Sequence, residues 1–196
     1  MKAFDGYNET KVMTDRPVLP AGAYPITIMA AEEKVYKGPN GEFGRLEISF
    51  DISDGEFKGF FADDYRSQNF NPEDQKWKGV LRLYVPSGDG SKKDETTKSI
   101  FKTNMTAIEE SNSGYRWEWK EETLKGKKAV CVFRNEEWDF QGRTGWKAQP
   151  FKLISTEQYA NGKYKLPNDK PLANKPSAAS VSDNFEEILS DDDLPF

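Results

Sequence analysis

Six residues, Asp191, Asp192, Asp193, Leu194, Pro195 and Phe196, join three carboxylates to an apolar step, a proline and an aromatic. That combination suits docking on another protein. The Phe196 ring would fill an apolar pocket while the aspartates and the α-carboxylate meet Lys or Arg around its rim. Pro195 fixes φ at about −65°, which lowers the entropy lost on capture. A solubilising acidic end is the plainer reading of the charge, but charge alone does not call for Leu-Pro-Phe.

Catalysis has little to draw on. The chain has no histidine, so it lacks the commonest general base and the commonest zinc ligand. The glycine-rich run from Ser87 to Lys93 lacks the spacing of a phosphate-binding loop and reads as a turn. Neighbours such as Asp63-Asp64 and Glu136-Glu137 would face opposite ways on a strand, so they do not assemble a cation site. No enzymatic activity, metal or cofactor is expected.

Binding chemistry is richer. Rings stand beside cations at Tyr65-Arg66, Trp77-Lys78, Arg82-Leu83-Tyr84 and Tyr115-Arg116-Trp117-Glu118-Trp119-Lys120, followed by Lys125, Lys127, Arg134, Arg143 and Trp146. Single-stranded nucleic acid calls for this pairing, because rings stack on bases of any sequence while Lys and Arg track phosphates. Trp77, between Lys76 and Lys78, is the foremost candidate for an exposed ring. Trp117 and Trp119, two apart, would share one face of a strand, either stacking on bases or buried as a pair. Phe50, Phe61, Phe101, Phe133 and Phe151 read as core.

Charge is unevenly laid out. From Asn168 onward seven acids face two lysines, which accounts for the whole net charge of −5. Between Glu42 and Asp64 there are seven acids against Arg45 and Lys58; between Lys76 and Lys102 seven basic residues stand against three acids. Contact with a polyanion is therefore expected mainly in the 66–93 segment and the Trp117–Lys147 region, with Arg45 one of few cations before them. Cys131, flanked by Val130 and Val132, reads as a buried thiol in a reducing compartment. No signal peptide or membrane-spanning run is evident, which suggests a cytoplasmic protein.

These residues need a scaffold, and the patterning predicts a mainly β one. The first strand runs from about Ala23 to Tyr36 and ends at the turn signal Gly38-Pro39-Asn40-Gly41. Leu46, Ile48, Phe50 and Ile52 then alternate with polar residues, as on a half-buried strand. A third strand is expected from Lys58 to Tyr65, followed by an inserted segment with a short strand from Val80 to Val85. Phe101, Met105 and Ile108 recur at helical spacing between about Asp94 and Ser111, with Asp94 or Thr97 as cap. Strands from Lys128 to Arg134 and near Trp146 to Ile154 follow, separated by the turn at Gln141-Gly142-Arg143. Three strands, a helix and two strands form the sequence order of the five-stranded OB-fold barrel.

The ending Asp-Asp-Leu-Pro-Phe resembles the acidic tip of bacterial single-stranded-DNA-binding proteins. In that family the tip recruits replication, recombination and repair enzymes. The body, through Leu19-Pro20-Ala21-Gly22-Ala23-Tyr24, Leu124-Lys125-Gly126-Lys127-Lys128, Phe133-Arg134-Asn135-Glu136-Glu137 and Pro150-Phe151-Lys152-Leu153-Ile154, resembles a bacteriophage-encoded family of single-stranded-DNA-binding OB-fold proteins. This second resemblance covers residues 17–167 and implies a DNA-binding domain there. By their own composition residues 1–16 read as an irregular arm, and 168–196, with Pro171, Pro176 and the run Ser177-Ala178-Ala179-Ser180, as a disordered linker with an acidic partner-binding tail. The resemblance also implies a sequence-nonspecific protein that coats single strands in phage DNA replication and recombination, inside the host cytoplasm. The alternative is an adaptor or phage structural component whose barrel binds protein.

Overall fold

The computed structural model describes residues 5–8, 17–39, 41–68 and 71–172. Of the expected N-terminal arm only the turn at 5–8 falls within them. The acidic tip and most of the linker lie outside the described residues.

Among the described residues the strands and α-helices are, in chain order, β1 (Ala23–Gly38), β2 (Gly41–Ile52), α1 (Phe60–Ser67), β3 (Val80–Tyr84), α2 (Lys92–Ser111), β4 (Lys128–Phe140), β5 (Arg143–Ile154) and α3 (Thr156–Ala160), with short 3-10 turns at Pro72–Asp74 and Glu121–Leu124. The strands form one antiparallel sheet in the order β3-β2-β1-β4-β5. Alternation on β2 puts Leu46, Ile48, Phe50 and Ile52 into the core and leaves Phe43, Arg45 and Glu47 on the outward face. A bulge between Ile28 and Ala30 lets β1 change its facing and continue along β2 to Gly38.

The third strand differs from expectation. Residues 60–67 are helical, and the strand that pairs with β2 is Val80–Tyr84, which the sequence pattern places in the insertion. Two causes act together. Phe57, Phe60 and Phe61 fall at helical spacing, and Phe61 is buried against Phe50 and Phe133. The Asp51 carboxylate accepts hydrogen bonds from the N–H groups of Phe61 (3.0 Å) and Ala62 (3.2 Å), so it satisfies first-turn donors and places negative charge at the helix start.

α2 lies where the periodicity put it, with Phe101, Met105 and Ile108 buried. Its cap is Ser91, whose side chain accepts from Asp94 N. Asp94 in turn accepts from Gly88 N (3.0 Å) and Gly90 N (3.3 Å) and pairs with Lys98 at 2.8 Å. The amides of the glycine-rich run thus serve a carboxylate of their own chain.

The closed barrel is corrected as well. β3 and β5 approach one another but form no ladder, so the sheet remains open between them. β3 has only five residues, and the free-edge N–H of Leu153 on β5 goes to Asn104 Oδ1 on α2 at 2.7 Å. Lys170 N donates to Asn135 O (2.8 Å) and Glu137 N donates to Lys170 O (2.9 Å), which fixes the chain against β4. Cys131 is fully buried and its thiol is pushed up by that burial. Among the described residues no helix is long and apolar enough to cross a membrane.

Candidate nucleic-acid interface

The outward face of β1, β2 and β3 carries cross-strand rows set by the register. Tyr36 lies opposite Phe43; Lys34, Arg45 and Tyr84 form the next row; Glu32, Glu47 and Arg82 form the one after. Successive rows on one face of a sheet are about 6.8 Å apart, close enough for their long side chains to interlock. Arg45 sits within three rings. Its guanidinium carbon is 4.6 Å from the Tyr84 centroid, 5.2 Å from Phe43 and 5.4 Å from Tyr36. Arg45 also donates to the Tyr84 hydroxyl. Tyr36 and Phe43 stack at 5.7 Å, and Phe43 and Tyr84 lie at 5.6 Å. The rings are half-exposed. Their packing with the guanidinium makes a pre-set aromatic platform with a cation at its centre.

The acids that argued against this face are largely engaged. Glu47 accepts from Lys34 (3.0 Å), Tyr36 (2.8 Å) and Arg82 (3.0 Å). Burial alone would raise its pKa, but these hydrogen bonds outweigh it and hold the carboxyl at about 2. Asp51 serves the start of α1. Asp63 pairs with Arg66 and Asp64 with Lys78. Each of these acids meets a cation or amide of the fold before any ligand arrives.

A pH response follows from Glu47. A carboxyl held below its ordinary value of 4.5 stabilises the fold above pH 4.5, and that contribution fades as pH falls through about 2. The Glu47 side chain is 13% exposed, while its partners Lys34 and Arg82 are 45% and 47% exposed. Screening at these partners limits the effect to about 2 kcal/mol. Denaturant unfolding of Glu47→Gln across this pH range should be flatter than that of the wild type by that amount.

No known protein-family model matches the chain, and no curated protein does.

The sequence candidates fall into separate places. Arg45, Arg82 and Tyr84 meet on the platform face. Tyr65 and Trp77 pack together and Lys78 reaches Asp64, which clasps α1 to the approach to β3, while Arg66 is exposed and pairs with Asp63 on its own helix. Trp77, expected as the exposed ring, is half-buried, and its Nε1–H donates to Phe50 O (3.0 Å) and Gly79 O (3.2 Å). Tyr65 covers it at 5.9 Å. Gly79 is required here, since a Cβ would come within 2.5 Å of Phe50 O.

Trp117 and Trp119 stand in an irregular segment instead of on a strand. Trp117 packs on the core. Trp119 is 72% exposed, has a left-handed φ of 60°, and stacks parallel on Phe101 at 6.0 Å. Lys127 lies 4.4 Å over the Tyr115 ring, while Lys120 and Lys125 are exposed nearby. Arg134 is 6% exposed, stacked on Phe151 at 4.7 Å and paired with Glu136 at 2.8 Å, so it is a structural cation. Arg143 and Trp146 belong to the β4–β5 hairpin, where Arg143 lies opposite Phe140. Asp191–Phe196 lie outside the described residues.

Sequence reasoning missed Lys34, Tyr36 and Phe43. The available signal was the turn at Gly38–Gly41: pairing outward from it puts Tyr36 opposite Phe43 and Lys34 opposite Arg45.

Proposed function

We propose that this protein binds single-stranded DNA without sequence preference on the outward face of β1, β2 and β3. The observation that carries the reading is the Arg45 guanidinium enclosed by Tyr36, Phe43 and Tyr84, with Lys34 and Arg82 in the adjoining positions. Half-exposed rings offer stacking faces that unpaired bases can use and that a duplex cannot, because its bases are already stacked. The cations supply contacts to the phosphates. The strand order, with α2 between β3 and β4, supports an OB-like body, and in such bodies this face is a habitual nucleic-acid site. The acidic tip recruits enzymes of DNA replication, recombination and repair, and the protein coats single strands in the phage-infected cytoplasm.

The test is fluorescence anisotropy with labelled oligo-dT, its duplex counterpart and an RNA equivalent over a salt series. Preference for the single strand, weakening steeply with salt, supports the reading. Failure to bind any strand at low salt would overturn it in favour of a protein-binding module.

A further inference from the structure

A groove of about 910 Å³ lies between α2, the end of β5 and the chain from α3 to Lys165. It is remote in sequence from the platform and includes none of its residues. Its walls bring together Lys102, Lys152, Lys163 and Lys165 with one acid, Glu110. Among the described residues Lys102, Lys163 and Lys165 form no ion pair. They contrast with Lys34, Lys78, Arg82, Lys98 and Arg134, each held by a carboxylate. The groove also has an aromatic wall in Tyr164, which lies 5.8 Å from Tyr159.

The chemistry selects an anion with flat, apolar parts. A peptide adding itself as a strand is disfavoured, because the edge amide of Leu153 is already taken by Asn104. What remains on offer is a set of ammonium groups beside the Tyr164 ring, the combination that holds a phosphodiester chain and its bases.

We propose that this groove is a second contact for single-stranded nucleic acid, taking up the continuation of a strand bound at the Arg45 platform. The proposal rests on the single-strand reading above and extends it. The bound length is then set by two surfaces, and oligomers long enough to reach the groove bind more tightly and with steeper salt dependence than short ones.

The experiment compares the full chain with the variant Lys102→Gln/Lys163→Gln/Lys165→Gln on short and long oligo-dT. All three lysines are exposed, and equal melting temperatures confirm that the variant is folded. Losing three phosphate contacts should lower the salt slope for the long oligomer by about 2, leaving the short one unchanged. An unchanged slope for the long oligomer overturns the proposal. A wild-type chain that binds no strand overturns the single-strand reading itself, a separate failure.

The acidic tail is another polyanion on the same chain, so the comparison is repeated with Asp191, Asp192 and Asp193 changed to Asn. If the lysine substitutions matter only when those aspartates are present, the groove serves the tail and the proposal falls. If the slope change persists, it stands.

Discussion

Changing Phe43 and Tyr84 together to alanine should weaken binding to oligo-dT by about 100-fold, or about 2.7 kcal/mol. A ring stacked on a base contributes roughly 1–3 kcal/mol by alanine substitution. The two rings share Arg45, which lies 5.2 Å and 4.6 Å from them. Their losses are therefore coupled and should not simply add. Removing both leaves the guanidinium with Tyr36 alone among the three rings, so the platform loses its shape as well as its stacking area. The salt slope should stay nearly constant, since no charge is removed. Anisotropy titrations at several salt concentrations read both quantities. Both positions are half-exposed on the sheet surface, so the double variant should still unfold cooperatively. A loss of less than threefold would mean that bases stack elsewhere, with exposed Trp119 and Trp146 the next rings to change.

The largest effect on stability should come from Phe133→Ala. Phe133 is 1% exposed and lies at the junction of the aromatic core, 5.6 Å from Tyr24, 6.1 Å from Phe50 and 6.2 Å from Phe61. Through those rings it joins β4 to β1, β2 and α1. Its truncation removes buried apolar surface and leaves a cavity that four elements cannot readily close. The expected loss is about 3–5 kcal/mol in unfolding free energy, measured by urea denaturation. A loss below about 1 kcal/mol would show that these elements do not share one core. The platform depends on that core: Leu46, Ile48 and Phe50 anchor from beneath the same strand that carries Phe43, Arg45 and Glu47 outward.

How much of this was legible depends on the range of the forces involved. Strands β1 and β2 and helix α2 follow from local periodicity, because their apolar residues repeat at the spacing of the structure they form. α1 does not. Its start is held by Asp51, ten residues from Phe61, and an aromatic-rich run from Lys58 to Tyr65 carries a strand-like composition in isolation. β3 was visible as a strand, but its partner was not, since the pairing Arg45–Tyr84 spans 39 residues.

The site was harder to read for a related reason. Cation and ring adjacent in sequence, as in Trp77-Lys78 or Tyr65-Arg66, suggested shared surfaces. The meeting points are instead cross-strand, fixed by register and by the bulge at Ile28/Ala30. The acidic count along strands two and three misled for the same cause. Asp51, Asp63 and Asp64 are tied to α1, its arginine and Lys78, and Glu47 is shared among three donors.

The central claim is that bases of a single strand lie on the outward face of β1, β2 and β3. The most direct measurement is amide chemical-shift mapping of the labelled protein during titration with a short oligo-dT. Shifts concentrated at residues 32–36, 43–47 and 82–84, saturating with the same affinity as anisotropy, are the predicted result. Shifts confined to the β4–β5 hairpin or to the 115–120 segment, with the Arg45 platform unmoved, would contradict it.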